Sequence, residues 1–197
     1  MFNARRSLVL FAAVGFLGTA ALAQGTANDP HRGGVSLAFS YDTLGSSLTN
    51  TNRFWMQGGA AELSGSFFRG FGATASVLGL HTANSGSGVP VNLVIATFGP
   101  GYTYTHSRHG GHAISFFGHA LVGEADGFWG LYPQTGGAGT SASSLAVQAG
   151  GGIDFRVSRH LDVRAVQADY VRTQLPNSLS NAQNSLRLGV GIVLRLR

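Results

Sequence analysis

The chain has 197 residues, a formal net charge of +5 and no cysteine, so disulfide bonds and thiolate metal sites are excluded. Thirty glycines and only 13 basic and 8 acidic residues argue against a helical protein, because a glycine costs about 1 kcal/mol in a helix relative to alanine. The basic residues are all arginine and never more than two stand together, so we expect no nucleic-acid partner.

The first 23 residues have the order of a cleaved secretory signal. Arg5 and Arg6 precede an apolar run over 8–18, and Ala21-Leu22-Ala23 forms a small-residue cleavage site. The apolar run is too short for a transmembrane helix, which needs roughly twenty residues. We therefore expect a signal peptide over 1–23 and one exported domain over 24–197, in a Gram-negative bacterium.

Eight segments in which apolar and polar residues alternate predict eight β-strands, because successive side chains of a strand point to opposite faces. The predicted strands are, in chain order, about 35–42, 55–68, 71–82, 91–105, 113–124, 143–156, 161–173 and 185–197. Long loops are predicted at 43–53, 83–88, 125–142 and 174–184, and short turns at 69–70, 107–111 and 158–160. A bulge is expected near Ala165-Val166, where the phase breaks, and a bulge or an unpaired position at Pro100.

The last predicted strand shows most clearly what its two faces meet. Its even positions from Leu186 to Leu196 are mainly aliphatic, whereas its odd positions carry Arg187, Gly189, Gly191 and Arg195. One apolar and one polar face are typical of a strand between lipid and a narrow polar lumen. A water-soluble lipocalin-type barrel would have the apolar face inside.

Aromatic residues are expected to form girdles at both ends of the barrel, as in membrane barrels. Those near the short turns are Phe67, Phe71, Tyr102 and Tyr104, and those near the long loops are Tyr41, Trp55 and Tyr170. Short turns and long loops alternate, which is typical of outer-membrane barrels with both termini in the periplasm. The predicted fold is all-β: an eight-stranded antiparallel up-and-down transmembrane β-barrel.

Three segments resemble the OmpA-type family of small outer-membrane β-barrel domains. They are Gly150-Gly151-Gly152-Ile153-Asp154-Phe155-Arg156-Val157, Gln167-Ala168-Asp169-Tyr170 and Asn184-Ser185-Leu186-Arg187-Leu188-Gly189-Val190-Gly191. The resemblance covers roughly 35–197 and implies the architecture rather than an activity. One departure is the end of the chain, Leu194-Arg195-Leu196-Arg197, where the family usually finishes on Phe or Trp, the signal read by the barrel-assembly machinery.

Charged residues on the predicted lumen side form the first candidate site. They are Glu62, Asp154, Arg156, Asp162, Arg164, Asp169 and Arg187, with Gln167 beside them. The lumen of an eight-stranded barrel is just wide enough to be filled by side chains, and an unpaired buried charge costs several kcal/mol. We expect a plug of ion pairs; the alternative is a gate whose pairs exchange partners and admit ions or small solutes.

The aromatic residues Phe128, Trp129 and Tyr132 form the second candidate site. They lie in the longest predicted loop, where they would either contact a partner or fold onto the barrel rim as an anchor.

Histidines are the remaining candidates for chemistry. His106, His109, His112 and His160 fall on short turns and are expected to be solvated rather than to bind a metal. His119 is expected inside the barrel. His81 and Ser85, with Asp42 across the barrel, are the only histidine–serine candidates for a lipid A-modifying enzyme, and nothing in the loop would hold a catalytic geometry.

The sequence thus predicts a small non-enzymatic outer-membrane scaffold without cofactor or metal, whose surface loops contact the outside. A narrow gated pore is the alternative, and an enzyme acting on lipid A comes third. The expected partners are outer-membrane lipid or lipopolysaccharide and, during insertion, the barrel-assembly machinery. We expect a monomer.

Overall fold

The computed structural model describes residues 34–49, 52–83, 89–107, 113–134, 137–176 and 181–196. The predicted signal peptide lies outside this range. The strands are β1 Val35–Thr49, β2 Asn52–Phe68, β3 Phe71–Thr82, β4 Val91–Ser107, β5 Ala113–Gln134, β6 Gly137–Arg156, β7 Leu161–Thr173 and β8 Gln183–Leu196. In the part of the chain described, no helix is long and apolar enough to cross a membrane.

Each strand pairs antiparallel with the next, and β8 returns to pair with β1, which closes the barrel. The closing ladder runs from Val35 opposite Leu196 to Gly45 opposite Leu186. Within the closed part of the barrel each described strand has a hydrogen-bonded neighbour on both sides, which is what a sheet needs in order to satisfy its backbone hydrogen bonds in lipid. The predicted strand number and up-and-down order are confirmed.

Two of the four predicted long loops are wrong. Residues 43–49 continue β1, and residues 125–134 and 137–142 continue β5 and β6. β5 pairs with β4 only as far as Phe128, and β6 pairs with β7 only from Ala146 onward. Residues 129–134 of β5 and 137–145 of β6 pair only with the other strand of this pair. They form a hairpin that extends beyond the ends of the ladders with β4 and β7. We call the end of the barrel with this hairpin the hairpin end, and the end with turns 69–70 and 158–160 the turn end.

The strand irregularities follow the sequence in two places. Register with the neighbouring strands shifts by one residue at Ala165, which confirms the predicted bulge. Pro100, which has no N–H, lies between the pairs Phe98–Val122 and Gly101–His119, and the register is the same on both sides of it. A third irregularity, in β5 at Trp129 with φ +58°, was not predicted.

The outer wall is an apolar belt. The side chains of Leu186, Leu188, Val190, Ile192, Leu194 and Leu196 are all exposed on β8, and the residues between them point inward. This stretch spans about 25 Å across the membrane, given roughly 3.3 Å per residue and a strand tilt near 40°. Tyr170, which lies opposite Leu186, is exposed near the hairpin-end border of this belt. Tyr41 is also exposed, but it lies opposite Val190, in the middle of the belt, and not at the border where the girdle was predicted. The predicted placement of the apolar face outside, as in a transmembrane barrel, is confirmed.

The interior is only partly the narrow polar lumen that the sequence predicted. Toward the hairpin end it is an apolar layer, formed by Leu44, Phe54, Met56, Ala60, Leu78, Leu80, Val91, Leu93, Ile95, Ala125, Tyr132, Ala146, Val171 and Leu175. Polar and charged side chains occupy the half nearer the turn end. The barrel is thus filled by two kinds of packing, one above the other.

Candidate functional site

The charged layer is a group of inward-pointing side chains on the turn-end side of the apolar layer. It comprises Asp42, Glu62, His119, Gln148, Asp154, Arg164, Gln167, Asp169 and Arg187, all of them buried. They come from six strands, and each stands at an inward position because side chains alternate along its strand. Two arginines face four carboxylates here, so each guanidinium must serve more than one acid.

Arg187, on β8, is fully buried and bridges three carboxylates. Its Nε donates to Asp42 Oδ1 at 2.7 Å, and its Nη1 donates to Glu62 Oε1 at 3.0 Å and to Asp169 Oδ2 at 3.1 Å. Nη2 donates to Ser40 Oγ at 3.3 Å. One side chain therefore connects β8 with β1, β2 and β7, across the seam where the barrel closes.

Arg164, on β7, forms the second bridge. Its Nε donates to Asp154 Oδ1 at 2.9 Å and its Nη1 to Glu62 Oε2. The guanidinium lies over the Phe117 ring, 4.0 Å from its centroid, which is a favourable position for a cation. Glu62 is consequently held by both arginines.

Amide and imidazole groups supply the remaining donors. Gln167 Nε2 donates to Glu62 Oε1 and Asp169 Oδ2, at 2.8 Å each, and Gln148 Nε2 donates to Asp169 Oδ2 at 2.9 Å. His119 Nε2 stands 3.1 Å from Asp169 Oδ1. Such a connected arrangement compensates part of the desolvation that burying four acids requires.

Two of the predicted lumen residues belong to a separate group at the turn end. Asp162 is buried and is bound by Arg195, whose Nε donates to Asp162 Oδ2 at 2.6 Å. Arg156 Nε lies 3.5 Å from Asp162 Oδ1, and the Arg156 side chain is 26% exposed. Arg156 is therefore a rim residue and not part of the charged layer.

Three residues were not predicted to take part: Asp42 and Gln148 in the charged layer and Arg195 in the turn-end group. Each has the inward parity of its strand, and this parity is the signal by which they could have been predicted. His119 lies inside the barrel, as expected.

Glycines make room for the carboxylates of the charged layer. A Cβ at Gly150 would stand 2.2 Å from Asp169 Oδ1 and 2.3 Å from the Ala168 carbonyl oxygen. A Cβ at Gly189 would stand 2.3 Å from Asp42 Oδ1. The glycine-rich inner wall is thus what lets acids of the adjacent strands lie flat against it.

We expect Gly150→Ala to lower the free energy of unfolding by about 1–3 kcal/mol, the usual cost of overpacking. The added methyl group must displace the Asp169 carboxylate and the backbone of β7. Urea titration of the barrel folded into lipid vesicles measures this. Gly79→Ala is the matched control, since a Cβ there meets nothing within 4 Å. Equal costs for the two variants would contradict the close packing.

The hairpin end of the lumen is covered by Tyr132 and Leu175. Tyr132 was predicted on a loop surface and is instead buried, with its ring against Gly127 and Gly130, because the irregularity at Trp129 turns it inward. Leu175 is held by Gln183, which accepts from the Leu175 N–H at 2.9 Å and donates to its carbonyl at 2.7 Å.

The two other predicted loop aromatics stand on β5 itself. Trp129 is 73% exposed, and Phe128 is half-buried and packs edge-on against it with ring centroids 5.8 Å apart. Leu131 is also exposed. An apolar surface therefore exists on the projecting hairpin, but it is strand and not loop.

The histidine candidates are not brought together. His81 is exposed, with its Nδ1 2.9 Å from Asn92 Oδ1, whereas Asp42 is inside the barrel; Ser85 is outside the described residues. His106 and His160 are exposed at the turn end, and His109 and His112 are not described. Within the described ranges no three metal-ligating residues are grouped as a metal site.

No protein-family model matches this sequence, and no curated protein matches it. Several solved structures are similar. The attachment invasion locus protein Ail of Yersinia pestis is 14% identical, with a TM-score of 0.45, over 84% of this chain and 99% of that one. Neisserial surface protein A is also 14% identical, with a TM-score of 0.49, over 83% and 97%.

The N-terminal β-barrel domain of OprF from Pseudomonas aeruginosa is 9% identical, with a TM-score of 0.47, over 84% of this chain and all of that one. Because these identities are low, we describe the fold of this chain from its own strand pairing and its candidate site from its own side chains.

Proposed function

We propose that this protein is a small, non-enzymatic outer-membrane scaffold: a closed barrel that holds the β5–β6 hairpin at the membrane surface. The observation that carries the proposal is the filled lumen within an apolar belt. Arg187, Gln148, Met56 and Leu78 have no appreciable exposure to solvent from either end. A lumen packed in this way suits a rigid support better than a path for solutes.

The location and partners are part of the same proposal. Residues 1–23 serve as an export signal, and 24–197 form one domain that the barrel-assembly machinery inserts as a monomer. In the membrane the domain contacts phospholipid and lipopolysaccharide. The exposed Trp129 and Leu131 on the hairpin are the surface at which an extracellular partner binds.

We expect no ion conductance when the folded protein is reconstituted in planar bilayers, because the charged and apolar layers leave no open path. A porin in the same bilayer shows that the assay detects a channel. Discrete single-channel steps from the wild-type barrel, altered by Arg164→Gln in the charged layer, would refute the scaffold and establish the gated pore.

The third hypothesis, an enzyme acting on lipid A, is tested separately. Mass spectra of lipid A from cells with and without the protein should be identical. A change in acylation that depends on the protein would replace the scaffold by an enzyme, even if the barrel did not conduct.

A further inference from the structure

The charges at the turn end are unbalanced. Among the described residues this end carries Arg69, Arg156, Arg159 and Arg195, which we call the basic rim, and one carboxylate, Asp162. Asp162 is buried and is shared by Arg156 and Arg195. Arg69 and Arg159 are exposed, and neither forms an ion pair with a carboxylate of the described residues. The rim therefore has a surplus of positive charge.

The nearest other acid does not correct this surplus. Asp154 lies deeper in the lumen, where it is buried and bound by Arg164. The acids that reach the surface in the described ranges are Glu124 and Asp126 on β5, which stand at the hairpin end. Among the described residues, the exposed acids thus stand at the hairpin end of the barrel axis, and the surplus of positive charge stands at the turn end.

The basic rim is continuous with the apolar belt. The Arg69 guanidinium lies 5.2 Å from the centroid of the Phe68 ring, and the neighbouring Phe67 and Phe71 are exposed on the belt. Arg159 follows Val157, which is 64% exposed. Guanidinium groups directly at the edge of a lipid-facing surface lie at the depth of lipid headgroups, where arginine side chains reach from the apolar region to the polar one.

We infer that the basic rim binds the phosphate groups of anionic phospholipids, such as phosphatidylglycerol, in the leaflet that surrounds the turn end. The inference rests on the proposed membrane function. Arginine suits this role, because its planar fork of donors matches phosphate oxygens and it stays charged. The basic rim adjoins the apolar belt, and this favours a lipid over a soluble phosphate. The acyl chains of a lipid contact the belt while its headgroup contacts the rim.

Electron spin resonance with spin-labelled lipids in vesicles of phosphatidylcholine tests the inference. At low salt, labelled phosphatidylglycerol should associate with the wild-type barrel at least about twofold more strongly than labelled phosphatidylcholine. The double variant Arg69→Gln/Arg159→Gln should bring this ratio close to one. The matched variant Arg53→Gln/Arg172→Gln removes the same charge from strand positions toward the hairpin end and should keep most of the selectivity.

Three results would overturn the inference: no selectivity in the wild type, selectivity retained by the rim variant, or equal losses in both double variants. Inorganic phosphate that abolished selectivity at an ionic strength where sodium chloride did not would identify a site for soluble phosphate instead. A β-rich circular dichroism spectrum of each vesicle sample separates these outcomes from failure of the proposed function, in which the barrel would not insert at all.

Discussion

Replacing Arg187 with methionine is expected to lower the free energy of unfolding by about 3–5 kcal/mol, the cost of breaking a buried ion pair. Methionine keeps an unbranched apolar stem but has no donor, so Asp42, Glu62 and Asp169 lose a shared cation inside the closed barrel. Arg187 Nε and Nη1 approach these carboxylates at 2.7–3.1 Å. Urea titration in lipid vesicles measures the loss.

Two further arginines provide a graded comparison for this result. Arg156→Met should cost less, because the Arg156 side chain is partly exposed and Asp162 keeps its second partner, Arg195. Arg172→Met, at an exposed position of β7, should change stability by no more than about 0.5 kcal/mol. If all three substitutions lowered the free energy of unfolding equally, the buried ion pairs of Arg187 would not stabilise the barrel more than the ion pairs at its surface do.

Replacing Val190 with arginine is expected to cost about 2–4 kcal/mol, the penalty for a charge near the bilayer midplane. Val190 is exposed in the middle of the β8 belt, four residues from Leu186 and six from Leu196. The same vesicle titration gives the cost.

Leu196→Arg is the matched control for membrane depth. Leu196 has the same outward parity and similar exposure but lies at the turn-end border of the belt, where the cost should fall to about 0–1 kcal/mol. Equal costs at the two positions would mean that the outer face of β8 is not in lipid, and a water-soluble barrel would then have to be considered.

The sequence alone determined the number of strands, the order of the strands and, where the alternation is clear, as in β8, the face that each side chain occupies. The parity of β8, the short turn at Arg69-Gly70 and the bulge at Ala165 were all predicted from residues a few positions apart. These features are local, because the period of two is a property of the extended backbone itself. Parity was therefore enough to place Glu62 and Arg187 in the lumen.

Only the tertiary structure decided where the strands end and how high each inward side chain lies. The Gly- and Ser-rich segments at 43–49 and 137–142 have a loop-like composition, and they are strands because a neighbouring strand supplies their hydrogen bonds. Height in the barrel depends on register between strands, which brings Asp42 to Arg187 across 145 residues and places Arg156 at the rim. Parity carries no information about height, so the division of the lumen into an apolar and a charged layer was fixed by pairing around the whole barrel.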